Sequence, residues 1–142
     1  MKHGQVRISH DAQADIVDIL RFTHNRFGDA ARRRYQALIG AALEAVATDP
    51  LRLGSLSREE EGPGLRSIHL VYCRSMPKVG KVIRPRHFVF YRVAADQVLE
   101  VVRVLHDSMD LDRHLPPNEQ TLQEQMAQRG NGLKGEGNGS QG

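Results

Sequence analysis

Apolar and polar residues alternate over residues 5–9 (QVRIS), the period-two pattern of a short strand with one buried face. From Ala12 the period lengthens: Ala12, Ile16, Ile19, Leu20, Thr23 and Phe27 fall on one side of a helix. Ser9 stands before that helix as an N-cap, and Asp11 places negative charge at the positive end of its dipole. Gly28 can take the positive-φ conformation that ends a helix, and Asp29 caps the next. A second helix over residues 30–48 has Ala31, Tyr35, Leu38, Ala42 and Val46 as its apolar stripe, widened by Ile39 and Leu43 and stopped by Pro50. So short a link makes the helices antiparallel neighbours, and their apolar inner faces require a sheet to cover.

The second half supplies it. Residues 51–63, rich in Gly, Ser and Glu, read as a loop. Residues 65–72 (LRSIHLVY) read as a strand with Ile68, Leu70 and Tyr72 on one face. Residues 87–93 and 98–105, β-branched and aromatic, form two more strands joined by a tight hairpin at 94–97. A helical turn over 109–115 follows, closed by Pro116 and Pro117. The predicted fold is α+β: an N-terminal strand, an αα-hairpin, then a mainly antiparallel three-stranded meander completing the sheet.

Composition changes this picture only at the end of the chain. The 142 residues, 39% hydrophobic and 26% charged, suit one globular core. The expected domain covers residues 1–117. Residues 118–129 suit a polar helix with a thin stripe of Leu122 and Met126. Residues 130–142 contain six glycines and a single leucine, too little apolar surface to offset chain entropy, so 118–142 is expected to be a disordered tail. No stretch reaches the roughly 20 apolar residues of a membrane span, and the N-terminus lacks a signal-peptide pattern. The lone Cys73 has no partner for an internal disulfide and reads as a small core hydrophobe. A cytoplasmic protein without metal or cofactor is the expectation.

Charge adds one feature. Residues 74–86 (RSMPKVGKVIRPR) hold Arg74, Lys78, Lys81, Arg84 and Arg86 and no acidic residue. Such a cationic arm suits phosphate or an acidic protein surface, and a solvated loop without a binding role is the plainer alternative. The arm has no aromatic residue, so it provides no base stacking of its own. Asp107, Asp110 and Asp112 fit no metal loop and read as helix-start charges.

The run 101–115 (VVRVLHDSMDLDRHL), together with Gly64-Leu65-Arg66 and the strand Phe88 to Arg92, resembles the ParE branch of the RelE/ParE toxin superfamily. Ala14-Asp15-Ile16, Phe27-Gly28, Ala31, Tyr35 and Asp49-Pro50 agree in order and spacing, and the resemblance covers about residues 4–116. It implies the fold above, a toxin of a type II toxin–antitoxin pair, a ParD-like antitoxin partner and DNA gyrase as target. Direct sequence-specific nucleic-acid binding by the toxin alone is not expected. Against the family pattern, the 74–86 connection is long. RelE-like relatives instead cut messenger RNA on the ribosome, which needs a base, an acid and cations at the phosphate. The groups available here are Arg66, His69, Arg92, Arg103 and His106, with Arg66, Arg103 and His106 the foremost. Against this, residues 98–115 hold no Tyr or Lys. His106 otherwise pins the C-terminal turn to the sheet, and Arg66, Arg92 and Arg103 otherwise pair with carboxylates across strands. A toxin that no longer kills and only binds antitoxin is a further alternative. The residues expected to meet antitoxin or target are Arg66, Lys78, Lys81, Arg84, Arg92, Arg103, His106 and Met109.

Overall fold

The computed structural model describes residues 5–109. In chain order they form β1 (Val6–Ile8), α1 (His10–Phe27), α2 (Asp29–Thr48), β2 (Ser55–Ser57), β3 (Arg66–His69), a 3-10 turn (Leu70–Cys73), β4 (His87–Val93) and β5 (Leu99–His106). The strands make one sheet in the order β1-β5-β4-β3-β2. β1 runs parallel to β5, with the helical hairpin and the antiparallel strands β2 to β4 between them in the chain, and every other pairing is antiparallel.

Ser9 acts as the N-cap its position predicts. Its Oγ accepts from the Ala12 N–H at 3.0 Å and donates to the Val102 carbonyl at 2.9 Å, so one hydroxyl starts α1 and ties it to β5. Gly28, with φ +97°, ends α1 and begins α2. Asp29 lies inside the first turn of α2 and makes no side-chain cap there, pairing instead with Arg32 and Arg33.

Two apolar clusters hold the sheet. Beneath the helices, Leu38, Ala42 and Val46 of α2 meet Ile68, Val89, Tyr91, Val101 and Val104, all essentially inaccessible. Full burial of side chains of this size contributes about 1.5–3 kcal/mol each. A bulge makes the β5 pattern possible. Phe90 faces Arg103 while Tyr91 faces Val101, so Val102 is the extra residue and both Val101 and Val104 turn toward the helices. On the opposite face Leu65, Phe90, Val102 and Leu105 are buried with Phe88 against them, and the Arg58 guanidinium lies over the Phe88 and Phe90 rings.

Besides the Asp29 cap, four expectations are corrected. The 51–63 loop contains the fifth strand, β2, which at three residues is too short to show an alternating pattern. The strand expected through Tyr72 stops at His69, whose Nδ1 accepts from the Val71 N–H and turns the chain into the 3-10 turn. Ile68 and Leu70 are buried, but Tyr72 is 51% exposed. Phe27, assigned to the buried stripe of α1, is 65% exposed. Asp107 is no helix-start charge, because it pairs with Arg86 and His69. Cys73 is the buried core residue expected, and burial pushes its thiol pKa up. The 109–115 turn, the 118–129 helix and the 130–142 tail lie almost wholly outside the described residues.

Candidate functional site

The ends of β3, β4 and β5 meet the first half of α2 at one corner, and three histidines collect there. Tyr35 on α2 accepts from the Arg86 backbone N–H at 3.0 Å, so its own proton goes to His87 Nδ1 at 2.7 Å. That leaves the His87 ring proton on Nε2. Burial, with a smaller contribution from nearby His106, lowers the His87 pKa to about 4, and burial raises that of Tyr35 to about 12. His87 is therefore a neutral imidazole of fixed tautomer at pH 7. The His106 ring meets it edge-on at 5.2 Å, and His106 Nδ1 accepts from the Ser108 N–H at 3.2 Å. His69, whose Nδ1 is already taken, donates from Nε2 to Asp107 at 3.0 Å. Asp107 also receives two guanidinium nitrogens of Arg86, at 2.9 to 3.2 Å, which hold its carboxyl well below the usual carboxylate range. Among the described residues, no cluster of His, Cys, Asp or Glu is arranged to hold a metal ion.

Beside this corner the basic arm lies on the helical hairpin. Val82 packs against the core, and Gly80, with φ +129°, comes so close to Arg34 that an added Cβ would sit 2.9 Å from its Cδ. Between arm and helices is a cleft of about 730 Å³, lined by α1 (Phe22, Thr23, Phe27), α2 (Ala31, Arg34, Tyr35), the arm (Lys81 to Arg84) and Arg86, His87 and His106. No acidic residue lines it. Arg86 is paired with Asp107, but Arg34, Lys81 and Arg84 have no carboxylate partner among the described residues.

The expected binding residues are thus divided. Lys81, Arg84 and His106 come together at the cleft, while Lys78 is on the arm outside its lining. Met109 is the last described residue and is partly exposed. Arg66, Arg92 and Arg103 do not form one basic face. Arg66 stands opposite Tyr91 on the helix-covered side and donates to Ser55 Oγ at 2.7 Å. Arg92 makes the cross-strand pair with Glu100 that the sequence suggests, at 3.1 Å. Arg103 is held by Asp15 of α1 rather than by a strand residue. Of the three foremost nuclease candidates only His106 lines the cleft, and its Nδ1 serves the turn at Ser108.

Tyr35, His87, Arg86 and Asp107 went unrecognised as a group in the sequence. Tyr35 reads as core and His87 as the first residue of a strand, and only the packing of α2 on the end of β4 unites them. No local spacing signals a contact between residues 52 positions apart.

A five-stranded sheet carrying a helical hairpin is the frame on which this basic cleft is built. The family described as the ParE toxin of the type II toxin–antitoxin system parDE matches residues 6–111, and the chain belongs to that family. Toxin ParE1 of Mycobacterium tuberculosis (strain H37Rv) is 32% identical over 108 residues, 76% of this chain and 94% of the relative. Toxin ParE1 of Caulobacter vibrioides is 29% identical over 109 residues, 77% and 95% of the two chains. A chain of the toxin–antitoxin complex RelBE2 from Mycobacterium tuberculosis aligns over 74% of this chain and 99% of its own length, with 20% identity and a TM-score of 0.45. Among the described residues no helix is long and apolar enough to cross a membrane.

Proposed function

We propose that this ParE-family toxin arrests growth by poisoning DNA gyrase in the cytoplasm and is neutralised by a ParD-like antitoxin that binds it directly. Family membership over residues 6–111 is the observation that carries the reading. The unpaired cations support the antitoxin half. An acidic, amphipathic antitoxin segment laid along the arm would meet Lys78, Lys81 and Arg84, whose charge raises association rate and specificity, while apolar anchors supply most of the affinity. Arg92 and Arg103, already engaged by Glu100 and Asp15, are weaker candidates for that contact.

The test is inducible expression with and without the neighbouring gene, scored for growth, DNA-damage signalling and translation. Arrest with DNA-damage signalling, relieved by the neighbour, is expected. Arrest with rapid loss of translation and no DNA damage would transfer the weight to RNA cleavage. No arrest would leave an antitoxin-binding protein that has lost its toxicity.

A further inference from the structure

We propose that the cleft between α1 and the basic arm binds a nucleoside phosphate, free or as one unit of a single strand. Its base would lie against Phe22 and Phe27, and its phosphate among Arg34, Lys81 and Arg84. The inference does not depend on the gyrase or antitoxin reading.

Four observations converge on it. The volume, about 730 Å³, is that of a small-ligand site. Arg34, Lys81 and Arg84 line one space with no carboxylate partner among the described residues, which gives the cleft a net positive charge that favours an anion. Phe22 and Phe27 are 63% and 65% exposed, two aromatic rings on the cleft wall, with the Arg26 guanidinium over one face of Phe27. The arm alone offers no stacking surface, but the fold lays it beside the two phenylalanines of α1, which completes the pairing of cations with aromatic faces used for single-strand binding. Finally, Tyr35 fixes the His87 proton on Nε2, and the Ser108 N–H does the same for His106. Neither Nε2–H donates to another described residue, so both can donate to a phosphate oxygen or a base edge.

The same two groups favour an occupant that carries hydrogen-bond acceptors beside its apolar surface. A purely aliphatic side chain seated over them would desolvate both imidazole N–H groups without accepting from them. A nucleotide presents acceptors instead.

The test is fluorescence anisotropy with the purified full chain and labelled oligothymidylate and oligoadenylate probes about eight nucleotides long. Arg34→Gln, Lys81→Gln and Arg84→Gln are each expected to weaken binding about fivefold or more and to flatten its salt dependence. The double variant Phe22→Ala/Phe27→Ala is expected to weaken it about tenfold. Lys78→Gln, outside the cleft lining, should change it by less than about twofold. All these side chains are exposed or partly exposed, and unchanged melting curves check that each variant folds. Displacement of the probe by adenosine monophosphate, but not by inorganic phosphate, assigns a free nucleotide. Binding that needs the strand and resists the monophosphate assigns a single-stranded nucleic acid. Equal loss with Lys78→Gln, indifference to the phenylalanine pair, displacement by inorganic phosphate as readily as by nucleotide, or binding only to a glutamate-rich peptide would each overturn the proposal.

Discussion

At the scale of single residues, the histidine corner makes stability depend on pH in a window that can be named. Folded His87 takes up a proton only near pH 4, whereas an unfolded histidine does so near pH 6.5. Between those values the unfolded chain binds the extra proton, so folding loses stability as pH falls from about 6.5 to about 4, by at most about 3.5 kcal/mol. Asp107 has the opposite cause and a lower window. Its folded pKa is depressed, so its contribution is complete above its unfolded pKa and is lost only at more acid pH. Denaturant melts across this range should therefore show a first loss that His87→Gln abolishes, since glutamine accepts from Tyr35 but does not titrate. A variant that keeps the first loss would place the titration elsewhere. Asp15 offers a second check, because it accepts from Arg103 Nε at 2.7 Å, from Arg103 Nη2 at 2.8 Å and from the Val104 N–H at 2.9 Å. Asp15→Ala removes all three at a site where the carboxylate is 13% exposed, and should cost about 2–4 kcal/mol in a urea melt. A loss under about 1 kcal/mol would show that water replaces it.

The elements differ in how far the sequence announces them, and the reason is length. Each of the two helices carries four or five turns of periodic apolar residues, enough for their stripes, the Ser9 cap and the Gly28 break to be legible without a structure. β4 and β5 were equally plain, though the bulge at Val102 was not, since a bulge is set by the partner strand. β2 and the end of β3 are not legible in the sequence because three or four residues carry no period, and the chain's path there depends on a side-chain bond from His69. The cationic arm was visible as charge, but its position against α1 was not. Two predictions belong at this scale. Gly54 has φ +95°, and a Cβ there would lie 2.5 Å from the Tyr72 ring. Gly54→Ala should therefore destabilise the turn into β2 by about 1–3 kcal/mol, and adding Tyr72→Ala should recover part of it, leaving the backbone strain and the contact with the Cβ of residue 72 at 2.9 Å. Full recovery would assign the whole cost to the ring contact. For the arm, neutralising Lys78, Lys81 and Arg84 together should leave the thermal midpoint unchanged and weaken antitoxin binding by titration calorimetry. An unchanged affinity would remove the arm from that interface.

For the whole molecule, the second face of the sheet decides where a partner can bind. A toxin held in check by direct binding needs a surface its partner can cover, and the face away from the helices looks at first like that surface. It already buries Leu65, Phe90, Val102 and Leu105, however, with Arg58 over the aromatic rings, so the open ground lies at its margin, in the groove lined by Leu56, His69, Tyr72 and Phe88, and along the arm and the exposed side of α1. The proposed boundary at Pro117 can be tested against this arrangement. Residues 118–142 hold only Leu122, Met126 and Leu133 as large apolar side chains, too few to close a core. A chain truncated after Pro117 should then melt within about 2 °C of the full one, because a shift larger than that corresponds to roughly half a kcal/mol in a domain of this size. Under the proposed function it should also arrest growth and be neutralised to the same extent as the full chain. A fall of many degrees, accompanied by new binding of an apolar dye, would mean that the polar-looking tail helps to cover Phe90 and Leu105. The domain would then extend past Pro117, and the composition of its last residues would have been a poor guide to where folding stops.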